Sequence, residues 1–161
     1  MELQIKKSFI PKGRLNRPGL KMTPKYITIH ETNNTEKFCD ADFFANMLEE
    51  TNSESSWHFT VDDHQIIQHL PLNENAWHCS DGEEGSGNRE SIGIEICTYE
   101  GQDREKTLEA AVKLCQKLQR EFNIPIENIK QHYDWDLWTD CPFFLRKDGN
   151  WTKFIDSISK K

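Results

Sequence analysis

The stretch SIGIEICTY, residues 91–99, constrains the fold more than any other part of the chain. Isoleucines at 92, 94 and 96 alternate with Gly93, Glu95 and Cys97, and a period of two is the signature of a β-strand. A strand this apolar needs cover on both faces, which places it at the centre of a layered sheet. Amphipathic segments supply that cover. Residues 104–122 put Leu108, Ala111, Val112, Cys115, Leu118 and Phe122 on one stripe, with Asp103 as N-cap. Residues 40–50 bring Phe43, Phe44, Met47 and Leu48 to one side. Trp151, Phe154, Ile155 and Ile158 recur at helical spacing after Gly149.

Further strands read from KYITIH (25–30) and WHFTVDD (57–63), and IENIKQH (126–132) leads into a short one. IIQHL (66–70) pairs with WHFTVDD as a hairpin. DGEEGSGNRE (81–90) reads as a loop, and residues 8–24 as an extended lead-in. The expected fold is α/β: a central mixed β-sheet flanked by helices, in a single domain over residues 1–161. No repeat, linker or second domain interrupts it.

The formal net charge is -7 and no run of Lys and Arg stands out. That argues against nucleic acid as a partner, which would call for a basic stripe. No segment approaches a membrane span, so no membrane partner is expected. The start, MELQIKKSFIPKG, lacks the apolar run of a signal peptide. The expectation is a monomer made in the cytoplasm that reaches an external target by another route. Cys39, Cys79, Cys97, Cys115 and Cys141 form an odd, unclustered set, which does not read as a disulfide framework. Most read as small buried hydrophobes.

Cys141 stands apart. It lies in QHYDWDLWTDCP, residues 131–142, a loop that can fold back toward His132. His30 ends a strand, on the face away from Ile27 and Ile29. Imidazole and thiolate are zinc donors, and a catalytic zinc commonly keeps three protein ligands and one open position. Glu95, inside an isoleucine strand, is costly to bury without a role, and burial raises its pKa toward general-base use. Spacing alone leaves other readings open: a surface His132 with a core Cys141, or a metal-free Cys–His hydrolase. Three aspartates shortly before Cys141 work against a free thiolate nucleophile.

Blocks along nearly the whole chain carry a resemblance. TPKYITIHET, SSWHFTVDD, LNENAWHCSDG, GSGNRESIGIEI and the terminal His…CP segment occur in the order found in zinc N-acetylmuramoyl-L-alanine amidases. The chain resembles the catalytic domains of Bacillus phage endolysins and autolysins, with phage lysozyme-like amidases and animal peptidoglycan recognition proteins as more distant relatives. The resemblance implies one Zn2+ per chain held by His30, His132 and Cys141, with Glu95 as the catalytic glutamate. It also implies a zinc groove open to peptidoglycan, and lysis of the cell wall by cleavage of the amide between N-acetylmuramic acid and L-alanine. The acidic net charge does not steer the domain to an anionic wall, so targeting is expected to come from a separate wall-binding module. A recognition module that binds peptidoglycan without cutting it is the alternative.

Departures from the phage lysozyme-like amidases fall at Thr139, where they carry lysine, and at Trp57, where they carry tyrosine. Thr139 can donate one hydrogen bond to a developing oxyanion but brings no charge. Trp57 alternates with Phe59 and Val61 and reads as a packed aromatic. Trp77, Asn88, Arg89 and Trp138 are expected to meet peptide or sugar, with His58 and His78 counted beside them as substrate contacts; His58, His69 and His78 are also candidates to help hold the oxyanion or to support the metal ligands.

Overall fold

Alternation along residues 91–96 builds the strand that the isoleucines require, and the other elements assemble around it. The computed structural model describes residues 4–160. Along the chain run β1 (Ile5–Lys7), β2 (Tyr26–Glu31), α1 (Ala41–Glu50), β3 (Phe59–Val61), β4 (Ile66–Gln68), α2 (Ser86–Glu90), β5 (Ser91–Ile96), α3 (Arg104–Phe122), β6 (Ile129–Gln131) and α4 (Asn150–Ser159). The six strands form one sheet in the order β1-β4-β3-β5-β2-β6. Among the strand pairs of the described residues only the β3–β4 hairpin is antiparallel, so the sheet is mixed, as expected.

β5 lies between β3 and β2, so its backbone is bonded on both edges. Ile92, Ile94 and Ile96 are fully buried and join Ile27, Ile29, Phe59 and Val61 in the main core. Ala111, Leu114, Cys115 and Leu118 of α3, with Phe154 and Ile158 of α4, close that core from one side. Leu114 is buried too, a position the helical stripe read from sequence passes over. The N-cap holds as expected: the Asp103 carboxylate accepts the Lys106 amide.

The opposite face is covered unevenly. α1 lies against β3 and β4. Its buried residues are Ala41, Phe44, Ala45 and Leu48, at the i, i+3, i+4, i+7 spacing of a single helical face. Phe43 and Met47, expected on that stripe, are instead partly exposed. Small alanines let the helix approach the sheet closely, and that sets its rotation. Because α1 sits over β3 and β4, the carboxyl ends of β2 and β5 stay open on this face. Crevices at the carboxyl ends of parallel strands are where open α/β sheets bind ligands.

Two elements depart from expectation. β1, just before the extended lead-in, pairs with β4 and extends the sheet to six strands. The loop 81–90 contains α2, whose first turn is set by the Asp81 carboxylate accepting the amides of Gly87 and Asn88.

Candidate active site

β2 and β5 run in parallel register with His30 opposite Glu95. Both side chains stand on the face opposite Ile29 and Ile94, at the open strand ends. His30 is buried, with two polar neighbours: its Nε2 lies 2.8 Å from His78 Nδ1 and its Nδ1 lies 3.7 Å from Cys141 Sγ. Burial holds its pKa well below the usual histidine range, and the neighbouring His78 and His132 add to the shift.

β6 pairs with β2 and delivers His132 beside His30, with ring centroids 4.7 Å apart. The chain then turns tightly over His132–Asp134, where the Asp134 carboxylate accepts the Gln131 amide. The indole N–H of Trp135 donates to Thr28 Oγ1 at 2.9 Å, fastening this loop to β2. The Tyr133 amide donates to the Cys141 carbonyl at 3.0 Å, closing the loop so that Cys141 returns to His132. Thr139 Oγ1 accepts the Cys141 amide at 3.3 Å.

A residue that sequence reasoning missed holds the far side of this loop. Glu31 follows His30 on β2 and is fully desolvated at its side chain. Its Oε2 accepts the amides of Phe144 at 2.5 Å and Leu145 at 3.1 Å, and its Oε1 pairs with Arg104. Strand alternation carried the signal: Glu31 continues the face of Ile27 and Ile29, where a carboxylate needs partners.

The donor atoms of His30, His132 and Cys141 lie within 4.8 Å of one another. Two ligands on a tetrahedral zinc, at about 2.3 Å for sulfur and about 2.05 Å for nitrogen, stand roughly 3.5 Å apart. The 3.7 Å between Cys141 Sγ and His30 Nδ1 meets that spacing. His132 Nε2 is sealed from solvent without a hydrogen-bond partner, as an atom kept for another ligand would be. The donor set therefore fits zinc. His30, His78 and Cys79 also cluster within 4.8 Å. There the donor atoms are committed to one another, with His78 Nδ1 lying 2.8 Å from His30 Nε2 and 3.1 Å from Cys79 Sγ, so this cluster reads as support.

Glu95 has an Oε2 sealed from solvent and unpartnered, while the residue as a whole keeps some exposure to the groove. Burial first, and the charge of Glu31 second, push its pKa up to about 8. It has no ion pair with Arg89 or Lys130 among the described residues; Arg89 turns instead to Glu84 at 3.6 Å. Cys141 is also pushed well above the usual thiol range, chiefly by burial and then by Glu95. That corrects the expected cause, since the preceding aspartates are not what raises it.

These groups line a groove of about 650 Å³, whose walls include Trp57, Trp77, Ser80, Glu83 and Asn88. Trp77 is thus placed to meet a ligand. Asn88 touches the groove but is buried, its Oδ1 accepting the amides of His78 at 2.9 Å and Cys79 at 2.8 Å. Trp57 is buried as expected, its indole donating to Thr60 Oγ1.

Three expected contacts lie outside the lining of the groove. His58 is fully buried, with Nε2 bonded to the Glu74 carbonyl and Nδ1 accepting the Gly93 amide, so it has no free atom and does not line the groove. Arg89 is held by Glu84 and the Glu83 carbonyl, and is likewise absent from the lining. Trp138 is 98% exposed on the loop that leads to Cys141, and also lies outside the lining.

Two histidines and a cysteine gathered beside a protonatable glutamate, at the mouth of an open groove, make the layout of a metal-assisted hydrolase. Comparison with known proteins places the chain more closely. The family profile described as N-acetylmuramoyl-L-alanine amidase matches residues 20–144, and the chain belongs to that family. It is 48% identical over 155 residues to the N-acetylmuramoyl-L-alanine amidase CwlH of Bacillus subtilis, covering 96% of this chain and 61% of CwlH. It is 49% identical over 140 residues to the N-acetylmuramoyl-L-alanine amidase XlyA of the same organism, covering 87% of this chain and 46% of XlyA. The solved catalytic domain of XlyA superposes with a TM-score of 0.92 at 47% identity, covering 97% of this chain and 99% of that domain. The chain thus spans about half the length of these curated relatives.

Proposed function

We propose that this domain hydrolyses the amide bond between N-acetylmuramic acid and L-alanine in peptidoglycan, and so lyses bacterial cell walls. The observation that carries the reading is the convergence of His30, His132 and Cys141 beside the unpartnered Glu95 in an open groove. His30, His132 and Cys141 would hold one zinc ion. When bound, zinc supplies Lewis acidity, polarising a carbonyl and lowering the pKa of a water molecule.

The chain's own residues do the rest. Glu95, poised near neutrality, takes a proton from the attacking water and returns it to the leaving amine of L-alanine. The Thr139 hydroxyl accepts the Cys141 amide and keeps its own hydrogen free to donate to the developing oxyanion. Trp77 offers a flat apolar wall to sugar or peptide. Among the described residues no helix is long and apolar enough to cross a membrane. The reading is of a monomeric catalytic domain that acts on the wall after release from the cytoplasm, targeted by a separate wall-binding module.

The test pairs zinc content with the release of new L-alanine amino termini from Bacillus peptidoglycan, for wild type and Glu95→Ala. One zinc per chain in both proteins, with release only by wild type, supports the proposal. A zinc-loaded wild type that binds wall and releases nothing makes the domain a recognition module. Full activity without zinc would return Cys141 to the role of nucleophile.

A further inference from the structure

Gly93 is an odd residue to find in the middle of the most apolar strand, where a side chain would normally pack. A glycine inside a strand weakens it and marks the close approach of another group. Here that group is the His78 imidazole. A Cβ at Gly93 would stand 2.8 Å from His78 Nδ1, 2.9 Å from Cε1 and 3.0 Å from Cγ. The missing side chain is the seat of the ring.

Seated there, His78 bridges the backbone and a candidate metal ligand. Its Nε2 lies 3.3 Å from the Ser91 carbonyl, which can only accept, so Nε2 carries the hydrogen. In the neutral ring Nδ1 is then the acceptor; it lies 2.8 Å from His30 Nε2 and 3.1 Å from Cys79 Sγ, and because a thiol is a weak donor the imidazole N–H is its partner. His30 must therefore carry its hydrogen on Nε2. That leaves the Nδ1 lone pair of His30 facing Cys141 Sγ. Asn88 completes the arrangement by accepting the backbone amides of His78 and Cys79.

We infer that His78 is a positioning residue, which fixes the tautomer and ring orientation of His30 so that Nδ1 is presented to the ion. The inference rests on the reading of His30 as a zinc ligand. A ligating histidine usually donates its other ring N–H to a fixed acceptor, and loss of that acceptor typically weakens metal binding roughly 10- to 100-fold. In this chain the acceptor is a second imidazole, itself oriented by a main-chain carbonyl and admitted by a glycine.

The test uses two readouts that need no substrate. Long-range proton–nitrogen spectra of the metal-free wild type should show His30 protonated at Nε2 and bare at Nδ1, with His78 protonated at Nε2. A His30 protonated mainly at Nδ1 overturns the inference. The zinc dissociation constant is then measured by chelator competition for His78→Ala and His78→Asn. His78→Ala should weaken zinc binding by roughly 10- to 100-fold. His78→Asn, whose side-chain oxygen can accept the His30 N–H, should recover most of the loss. Unchanged affinity in His78→Ala, or no recovery in His78→Asn, also overturns it. Should His78→Ala fail to fold, the wild-type spectrum decides. Should wild type bind no zinc, the metal reading fails, and the His30 tautomer still decides the role of His78 separately.

Discussion

His30 and Glu95 are register partners on the parallel strands β2 and β5, so a single strand pairing sets a candidate metal ligand against the candidate base. Neither side chain depends on a flexible loop for its position. Glu95→Gln keeps the shape of the side chain and removes its proton exchange. The expected outcome is a fall in kcat of roughly 10²- to 10⁴-fold, the usual contribution of a positioned acid–base group. Zinc content should stay at that of wild type. A kcat within a few-fold of wild type would remove Glu95 from the chemistry.

Glu31 clamps the other side of the site. It joins β2 to the amides of Phe144 and Leu145, 113 and 114 residues away in sequence, and to Arg104 at the start of α3. Glu31→Gln keeps the size and loses the charge that strengthens all of these bonds. Removing one partner from a buried ionic network costs about 3 kcal/mol, and the denaturant midpoint should fall accordingly. Because the clamped segment follows Cys141, zinc affinity should fall as well. A variant with an unchanged midpoint would show that the clamp adds nothing to stability.

Two buried histidines away from the candidate ligands give the fold a pH dependence. Burial lowers the pKa of His58 and of His69 to about 4 in each case. In the unfolded chain both return to about 6.5. Between these values the unfolded state binds more protons, so stability is full above about pH 6.5 and falls as the pH drops toward 4. Each histidine should remove about 2 kcal/mol by pH 5. Urea midpoints at pH 7 and pH 5 check this, and His58→Asn should shrink the difference between them. Glu95, whose pKa is raised, favours the folded state as the pH falls, so the comparison with the variant decides: a His58→Asn protein that loses as much stability as wild type between pH 7 and pH 5 would show that this imidazole is not buried in neutral form.

Much of this architecture was legible because it rests on local patterns. Alternating isoleucines place β5, and the Asp103 cap with its apolar stripe places α3. β1 was not legible, since IKK has no pattern of its own and becomes a strand only by pairing with β4. α2 was hidden because SGNRE is stabilised by Asp81, outside the helix. The same division runs through the site. His30, His132, Cys141 and Glu95 could be named from residue type, position and the resemblance. Glu31 could not be given its role, and His78 could not be singled out from His58 and His69 as a support for the ligands, because their partners come from distant parts of the chain. His58 and His78 look equivalent in sequence, yet one is enclosed by main-chain groups and the other sits against His30.

Glycines in the 81–90 segment reflect close packing as well as turning. A Cβ at Gly87 would lie 2.6 Å from Cys79 Cβ and 2.9 Å from Asp81 Oδ2. Asp81 is the residue that accepts the Gly87 and Asn88 amides, and Asn88 in turn accepts those of His78 and Cys79. Gly87→Ala therefore strikes the hub of a network that shapes one wall of the groove. Overpacking of this kind costs about 1–3 kcal/mol. Thermal or urea denaturation should show that loss, and KM for peptidoglycan should rise as Ser80, Glu83 and Asn88 shift. Stability and KM both equal to wild type would mean that the segment gives way freely, and that its hydrogen bonds do not set the shape of the groove.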